Sequence, residues 1–94
     1  MNKSYFDGLN KKLFDSIPNS SKRILELGCA NGRLGSTYKH LNEGVHWTGV
    51  DNSSTALENA KHVLDHVIQI DLNRESLLSI FKKNTSTQLL LVIY

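Results

Sequence analysis

Several residue types are scarce in this chain of 94 residues, and each scarcity excludes a class of protein. The single cysteine, Cys29, cannot form an internal disulfide, and the sequence has no Cys/His spacing typical of a metal site. The longest uninterrupted apolar run covers residues 89–94, which is far too short to cross a bilayer. The N-terminal residues also lack the apolar segment of a signal peptide. We therefore expect a cytoplasmic protein with no bound metal and no membrane contact.

A strong charge asymmetry is absent as well. The formal net charge is +2, and the two basic doublets, Lys11-Lys12 and Lys82-Lys83, are typical of the solvated faces of helices. Binding of nucleic acid is therefore not indicated. A hydrophobic content of 39% and a charged content of 21% are ordinary for a globular domain, so we expect residues 1–94 to form one domain.

Apolar spacing alternates between helical and extended periodicity along the chain. An amphipathic helix is predicted at residues 4–17 and ends before the only proline, Pro18, so that residues 1–21 form an N-terminal helix and linker. Short apolar runs predict four strands, at residues 22–27, 45–51, 66–70 and 88–94.

A helix is predicted after each of the first three strands. The second helix of the chain is expected to end near Gly44, the third to begin with a capping box at Thr55 and Glu58, and the fourth to be capped by Asn73. The predicted apolar faces of these helices are Leu34, Tyr38 and Leu41, then Ala56, Leu57, Ala60, Val63 and Leu64, then Leu77, Ile80 and Phe81. Strand–helix alternation over residues 22–94 predicts an α/β fold, an open parallel sheet with helices on both faces.

The stretch from Arg23 to Gly35 has the features of a ligand-binding turn. An apolar strand leads into Gly28-Cys29-Ala30-Asn31-Gly32 and then into a helical pattern, so free backbone N–H groups and a helix N-terminus converge there. Ligands of open parallel sheets bind beyond the carboxyl ends of the strands. Three predicted strands have an acid at or just past that end, namely Glu26, Asp51 and Asp71.

Two phosphate-binding interpretations of the turn fail. A P-loop needs Lys-Ser or Lys-Thr after its last glycine, whereas Arg33-Leu34 follows Gly32. A dinucleotide fingerprint counted from Gly28 requires glycine at position 30 and glycine or alanine at position 33, whereas this chain has Ala30 and the bulky Arg33. Glu26 would also repel a pyrophosphate and attract a cationic ligand. An NAD-dependent oxidoreductase is therefore the less favoured alternative.

Three motifs resemble those of class I S-adenosylmethionine-dependent methyltransferases. Leu25-Glu26-Leu27-Gly28-Cys29-Ala30-Asn31-Gly32 is similar to the family's first motif, Gly49-Val50-Asp51-Asn52-Ser53 to its second-strand motif, and Gln69-Ile70-Asp71 to its third. The similarity extends over residues 22–94, in the family's order and spacing. The resemblance implies a Rossmann-like fold, S-adenosyl-L-methionine as cofactor, and transfer of a methyl group to an unidentified acceptor.

The resemblance also implies a role for each matching residue. Gly28 and Gly32 would let the backbone pass close to the methionine part of the cofactor, and Glu26 would help to hold the loop and the ammonium group. Asp51 would bind the ribose hydroxyls and Asp71 the adenine amino group. The cofactor-binding residues expected in this way are Glu26, Gly28, Cys29, Ala30, Gly32, Asp51, Asn52, Asp71 and Leu72, and no catalytic residue is assigned.

The sequence departs from the family pattern at two places. Ala30 stands where the family usually has a glycine, so the backbone there must accommodate a Cβ. In the family, three more strands follow the fourth, and segments after the fourth strand grip the acceptor. We therefore expect a sheet truncated after residues 88–94, no methyltransferase turnover by the chain alone, and self-association through that uncovered edge. A non-catalytic Rossmann-like binding or scaffold module is the alternative function.

Local structural roles are the alternatives for the three acids. Asp51 would complement the dipole of the following helix, and Asp71 would open the next one. Glu26 would form an ion pair with Arg33 or Lys22, because an acid inside an apolar strand is costly unless paired. Buried roles without chemistry are predicted for Cys29, Trp47 and Tyr38.

Overall fold

The structure is a computed structural model that describes residues 11–18, 22–71, 73–83 and 88–91. Helices and strands alternate along these residues, which confirms the predicted α/β class. The elements are α1 (Lys11–Ser16), β1 (Arg23–Leu27), α2 (Arg33–Leu41), β2 (His46–Asp51), α3 (Ser54–Ala60), β3 (His66–Gln69), α4 (Arg74–Lys83) and β4 (Gln88–Leu91).

The four strands form one parallel sheet in the order β3-β2-β1-β4. β1 pairs with β2 on one side and with β4 on the other, so it lies inside the sheet. The chain moves outward from β1 to β2 to β3 and then crosses back to the far side of β1. The order therefore reverses at β1, the position at which open α/β sheets bind ligands.

Helices cover both faces of the sheet, as predicted. On one face Ile24 of β1 and Trp47 of β2 pack with residues of α1, α2 and α3, including Tyr38, whose ring centroid lies 5.6 Å from that of Trp47. On the other face a smaller cluster includes Ile80 of α4. The strand residues in this second cluster are Leu25, Leu27 and Val50. The two clusters alternate along β1 because successive strand residues point to opposite faces.

The strand predictions differ from the structure by a residue at one end of β1, β2 and β3. The described part of β4 covers 88–91 of the predicted 88–94, and residues 92–94 lie outside the described residues. The described part of the predicted N-terminal helix ends at Ser16. Its residues 4–10 lie outside the described residues too, as do the side chains of Leu77 and Phe81.

Three predictions about the helices are wrong in detail. Ser53, not Thr55, caps α3: its hydroxyl accepts a hydrogen bond from the Ala56 N–H at 3.2 Å, because the helix begins earlier than the predicted capping box. Leu41 is 49% exposed, since it is the last residue of α2. Val63 is 41% exposed, since α3 ends at Ala60.

The predicted cap of α4 is confirmed. The Asn73 side-chain oxygen accepts a hydrogen bond from the Ser76 N–H at 2.9 Å. In the part of the chain that the structure describes, no helix is long and apolar enough to span a membrane. The cytoplasmic location stays a prediction.

Candidate functional site

The glycine turn that follows β1 is anchored to the carboxyl end of β2. The backbone N–H groups of Gly28 and Cys29 both donate to the Val50 carbonyl oxygen, at 2.7 and 3.0 Å. The Gly32 N–H donates to the Cys29 carbonyl oxygen at 2.9 Å and closes the turn. The turn therefore lies where β1 and β2 both end.

Left-handed backbone at three positions, Gly28 (φ 77°), Ala30 and Gly32, explains the residues found in the turn. Gly32 has φ +85°, and a Cβ there would lie only 3.1 Å from Val63 and 3.2 Å from Ala60. Glycine meets both demands, because it has no Cβ and adopts positive φ readily. Ala30 also adopts positive φ, at 50°, so the turn accommodates a Cβ at the position where the resembled family usually has glycine.

The N-terminus of α2 points into the same region. Its N-cap residue is Gly32, and no side chain caps the helix there. The dipole at a helix N-terminus favours a negatively charged group.

Asp51 joins the turn to the start of α3. One carboxylate oxygen, Oδ2, accepts the Ala30 N–H at 2.9 Å, and the other, Oδ1, accepts the Ser53 N–H at 3.0 Å. Asp51 therefore contributes at the start of α3, as the local alternative requires, and it also holds the turn. Each oxygen can accept a second hydrogen bond, so the carboxylate keeps capacity for a ligand.

Glu26 is fully buried inside the sheet–helix layer that contains Trp47. Its Oε1 accepts a hydrogen bond from the Trp47 indole Nε1–H at 3.2 Å, and its Oε2 is buried with no hydrogen-bond partner. The bond comes from Trp47 and not from Arg33 or Lys22, whose side chains are exposed. A buried carboxyl oxygen without a partner is unusual in folded proteins and demands an explanation.

The pKa of Glu26 is raised from 4.5 to about 7 as the net result of three causes: burial raises it most, the indole hydrogen bond lowers it, and the negative charge of Asp51 raises it. Burial, reinforced by the charges of Glu26 and Asp51, raises the pKa of Cys29 to about 12. The Cys29 thiol is therefore protonated at neutral pH and is not a nucleophile, as predicted. It fills the space above Gly49, where a Cβ would lie 2.6 Å from its Sγ.

Of the remaining predicted site residues, Asp71 and Asn52 are among the described residues and Leu72 is not. Asp71 is exposed and follows Ile70, whose N–H donates to the Asp51 carbonyl oxygen at 3.0 Å, so Asp71 lies next to the end of β2. Asn52 is exposed beside Asp51. Leu72 lies outside the described residues. Among the described residues, no three His, Cys, Asp or Glu side chains group together in a way that could hold a metal ion.

Two residues near the site, Trp47 and Gly35, play a part in it that was not predicted from the sequence. Trp47 is fully buried, as predicted, but its hydrogen bond to Glu26 was not anticipated. Gly35 of α2 was not singled out, although a Cβ there would lie 2.6 Å from the Trp47 Nε1 atom. The available signal was the pairing of one buried acid with the only tryptophan of the chain in adjacent strands.

The comparisons with known proteins agree with this geometry. The sequence matches a family model described as a methyltransferase domain over residues 18–83. No curated protein matches the chain.

Three solved structures show the fold. YjhP from E. coli is 25% identical over 76% of this chain and 31% of its own, with a TM-score of 0.51. A SAM-dependent methyltransferase from Thiobacillus denitrificans in complex with S-adenosyl-L-homocysteine is 23% identical over 76% of this chain and 30% of its own, with a TM-score of 0.52. The StiE O-MT structure is 21% identical over 69% of this chain and 26% of its own, with a TM-score of 0.57. The chain thus spans 26–31% of the length of these structures.

Proposed function

Because the chain belongs to the methyltransferase domain family, we propose that it is the cofactor-binding portion of an S-adenosyl-L-methionine-dependent methyltransferase. The observation that supports this most directly is the hydrogen bond from Ala30 N–H to Asp51 Oδ2. It joins the glycine turn and the second-strand acid, two separate motifs of the resembled family, into one site. Within the single domain, residues 22–94 are the binding portion and residues 1–21 the N-terminal helix and linker.

The chemistry of the donor set fits this cofactor. S-adenosyl-L-methionine has an ammonium group, a sulfonium and a carboxylate, and it has no phosphate. The turn supplies a buried acid, Glu26, with one unpartnered oxygen, and the half-buried acid Asp51. The N-terminus of α2, which no side chain caps, has a helix dipole that favours a carboxylate.

Each of these residues then has a proposed role in binding the cofactor. Glu26 receives the ammonium group, Asp51 the ribose hydroxyls, and Asp71 the adenine amino group, with Asn52 and Leu72 beside them. Gly28, Cys29, Ala30 and Gly32 form the wall that lies against the methionine part. When bound, the cofactor would supply an activated methyl group: a nucleophile of the acceptor would bond to the methyl carbon as the S–CH3 bond breaks, and S-adenosyl-L-homocysteine would be the leaving group. The chain contributes positioning and exclusion of water.

We assign neither a class of methyl acceptor nor a general base. Turnover is not expected from the chain by itself, because the residues proposed here bind the cofactor and none is assigned to an acceptor. A Rossmann-like binding or scaffold module without turnover is the alternative function.

Binding is tested by thermal unfolding and calorimetry with S-adenosyl-L-homocysteine, S-adenosyl-L-methionine and NAD. Ligand at about 100 times its dissociation constant stabilises the fold by ~2.7 kcal/mol. In a chain of this size we expect the melting temperature to rise by about 10 °C or more. A larger shift with NAD would contradict the proposal.

Asp51→Ala is the informative variant and Asp65→Ala its matched control. The Asp65 Oδ2 also accepts a backbone N–H, that of Trp47 at 2.7 Å, but at the opposite, amino-terminal end of the sheet. Both variants should melt at lower temperature. Only Asp51→Ala should lower the affinity for S-adenosyl-L-homocysteine. The expected loss is roughly tenfold to several hundredfold, because hydrogen bonds to a charged group contribute ~1.5–3 kcal/mol each. Equal affinities in the two variants would leave Asp51 a purely structural residue.

A further inference from the structure

Trp47 and Glu26 form a pair that the motifs of the resembled family do not include. The Trp47 indole packs against Tyr38 on one side and donates its N–H to Glu26 Oε1 at 3.2 Å. The other oxygen of Glu26, Oε2, is buried and has no hydrogen-bond partner. A carboxylate held at one oxygen has a fixed orientation at the other, because the two oxygens belong to one rigid planar group.

Gly35 of α2 makes this arrangement possible. A Cβ at Gly35 would lie 2.6 Å from the Trp47 Nε1 and 2.6 Å from the Leu64 Cδ2. Both distances are shorter than a Cβ tolerates, so even alanine at this position would force α2 or the side chains of Trp47 and Leu64 to shift. The helix therefore approaches the indole closely only because residue 35 is a glycine.

We propose that Trp47 is a positioning residue for ligand binding, whose indole N–H orients the Glu26 carboxyl group so that Oε2 receives the ammonium group of the ligand, and that binding drives a proton off Glu26. This inference rests on the proposed function and adds to it the device that prepares the acid. The proton leaves to solvent, and the ammonium group of the ligand then compensates the carboxylate charge.

The groups around Glu26 explain why binding of a cationic ligand should release its proton. Among the residues that the structure describes, the titratable groups that face it are Asp51 at the end of β2, the Cys29 thiol in the turn and, across the Trp47 ring, Tyr38 of α2. β4 (Gln88–Leu91) has no titratable residue. None of these is a cation. Burial without a cation raises the pKa of Glu26 to about 7, so the free site is substantially protonated at neutral pH and a cationic ligand shifts it to the carboxylate.

The only tryptophan provides a readout that needs no ligand. The single indole N–H signal in a ¹H–¹⁵N spectrum should move with pH, with a midpoint near the Glu26 pKa of about 7, and should not move in Glu26→Gln. An indole signal that is independent of pH in the unmodified chain would overturn the inference.

Binding of S-adenosyl-L-homocysteine is then measured by calorimetry in buffers of different ionisation enthalpy. The unmodified chain should release a proton on binding near pH 7, and Glu26→Gln should not. 5′-Methylthioadenosine, which lacks the ammonium group, should release none from either chain. Affinity that is the same at every pH would contradict the inference while the proposed function stands. No binding at any pH would instead overturn the proposed function.

The indole hydrogen bond lowers the pKa of Glu26. Trp47→Phe removes this bond and should therefore raise the pKa of Glu26. The midpoint of the pH dependence of affinity should therefore move upward, with a loss of about tenfold in affinity at pH below the midpoint for each unit of displacement. Tyr38→Phe, in the same aromatic cluster, should leave the midpoint unchanged. A uniform loss at every pH in Trp47→Phe would mean that Trp47 acts only as core. If this variant does not fold, the indole titration of the unmodified chain still decides.

Discussion

At the scale of single residues, Glu26 combines a cost in stability with a benefit in binding. The pKa of Glu26 is about 7 in the folded chain, whereas the ordinary pKa of a glutamate, which applies in the unfolded chain, is 4.5. The folded state therefore binds more protons between these two values, and its stability falls as pH rises through that window. Below the window the group makes no difference, and above it the full penalty of the buried charge is present.

We predict that Glu26→Gln removes this decline. Between about pH 5 and about pH 8 the unmodified chain should lose up to ~3 kcal/mol of unfolding free energy through Glu26, relative to Glu26→Gln. The difference between the two chains cancels the contributions of other acids, such as Asp65. Burial raises the pKa of Asp65, but hydrogen bonds from Lys39 and from the Trp47 backbone outweigh it and leave this pKa lowered. Urea unfolding at several pH values measures the difference, and parallel curves for the two chains would contradict the prediction.

At the scale of elements, the turn between β1 and α2 is held by β2 as well as by its own residues. The Gly28 and Cys29 N–H groups donate to the Val50 carbonyl oxygen and the Ala30 N–H donates to Asp51, so the shape of the turn depends on β2 and not on its glycines alone. Ala30 is held at φ 50° by this anchoring, a conformation that L-residues other than glycine adopt at a cost.

Ala30→Gly tests whether the turn stores that strain. Relief of the left-handed conformation should stabilise by ~1–2 kcal/mol, and the larger entropy of glycine in the unfolded chain offsets ~0.5–1 kcal/mol of it. We expect a net rise in melting temperature of a few degrees, measured without ligand. Asn31→Gly, one residue along in the same turn and without a positive φ, is the control and should not stabilise. A lower melting temperature for Ala30→Gly would show that the alanine is not strained.

At the scale of the whole molecule, the sheet has an end strand of unusual composition. Among the described residues, β4 borders only β1, and its sequence is Gln-Leu-Leu-Leu, without charge, glycine or proline. Natural sheets protect such edges with charges, bulges or covering segments, because an open edge pairs with other chains. β3, the other end strand, contains His66 and Gln69, which are exposed.

We therefore predict that the chain studied by itself associates through residues 88–94. Sedimentation should show a dimer or larger assembly, and Leu91→Lys should shift it toward the monomer because a lysine on an edge strand disfavours pairing. Gln69→Lys, on the opposite end strand, is the matched control and should leave the association unchanged. A monomer at high concentration of the unmodified chain would contradict the prediction.

The sequence by itself determined the order of the elements and the composition of the turn. Hydrophobic spacing, the glycines and the acids after the strands are local signals, so β1, β2 and β3 were predicted to within a residue and the acid–turn site as a group of residues. Tertiary packing decided which residue caps α3, that Leu41 and Val63 are exposed, and above all which partner Glu26 has. An ion pair with Arg33 or Lys22 was the expected alternative, and the structure gives an indole hydrogen bond instead. That choice depends on the register of β1 against β2 and on the close approach of α2 at Gly35, distances that arise between segments far apart in the chain and that no local pattern encodes.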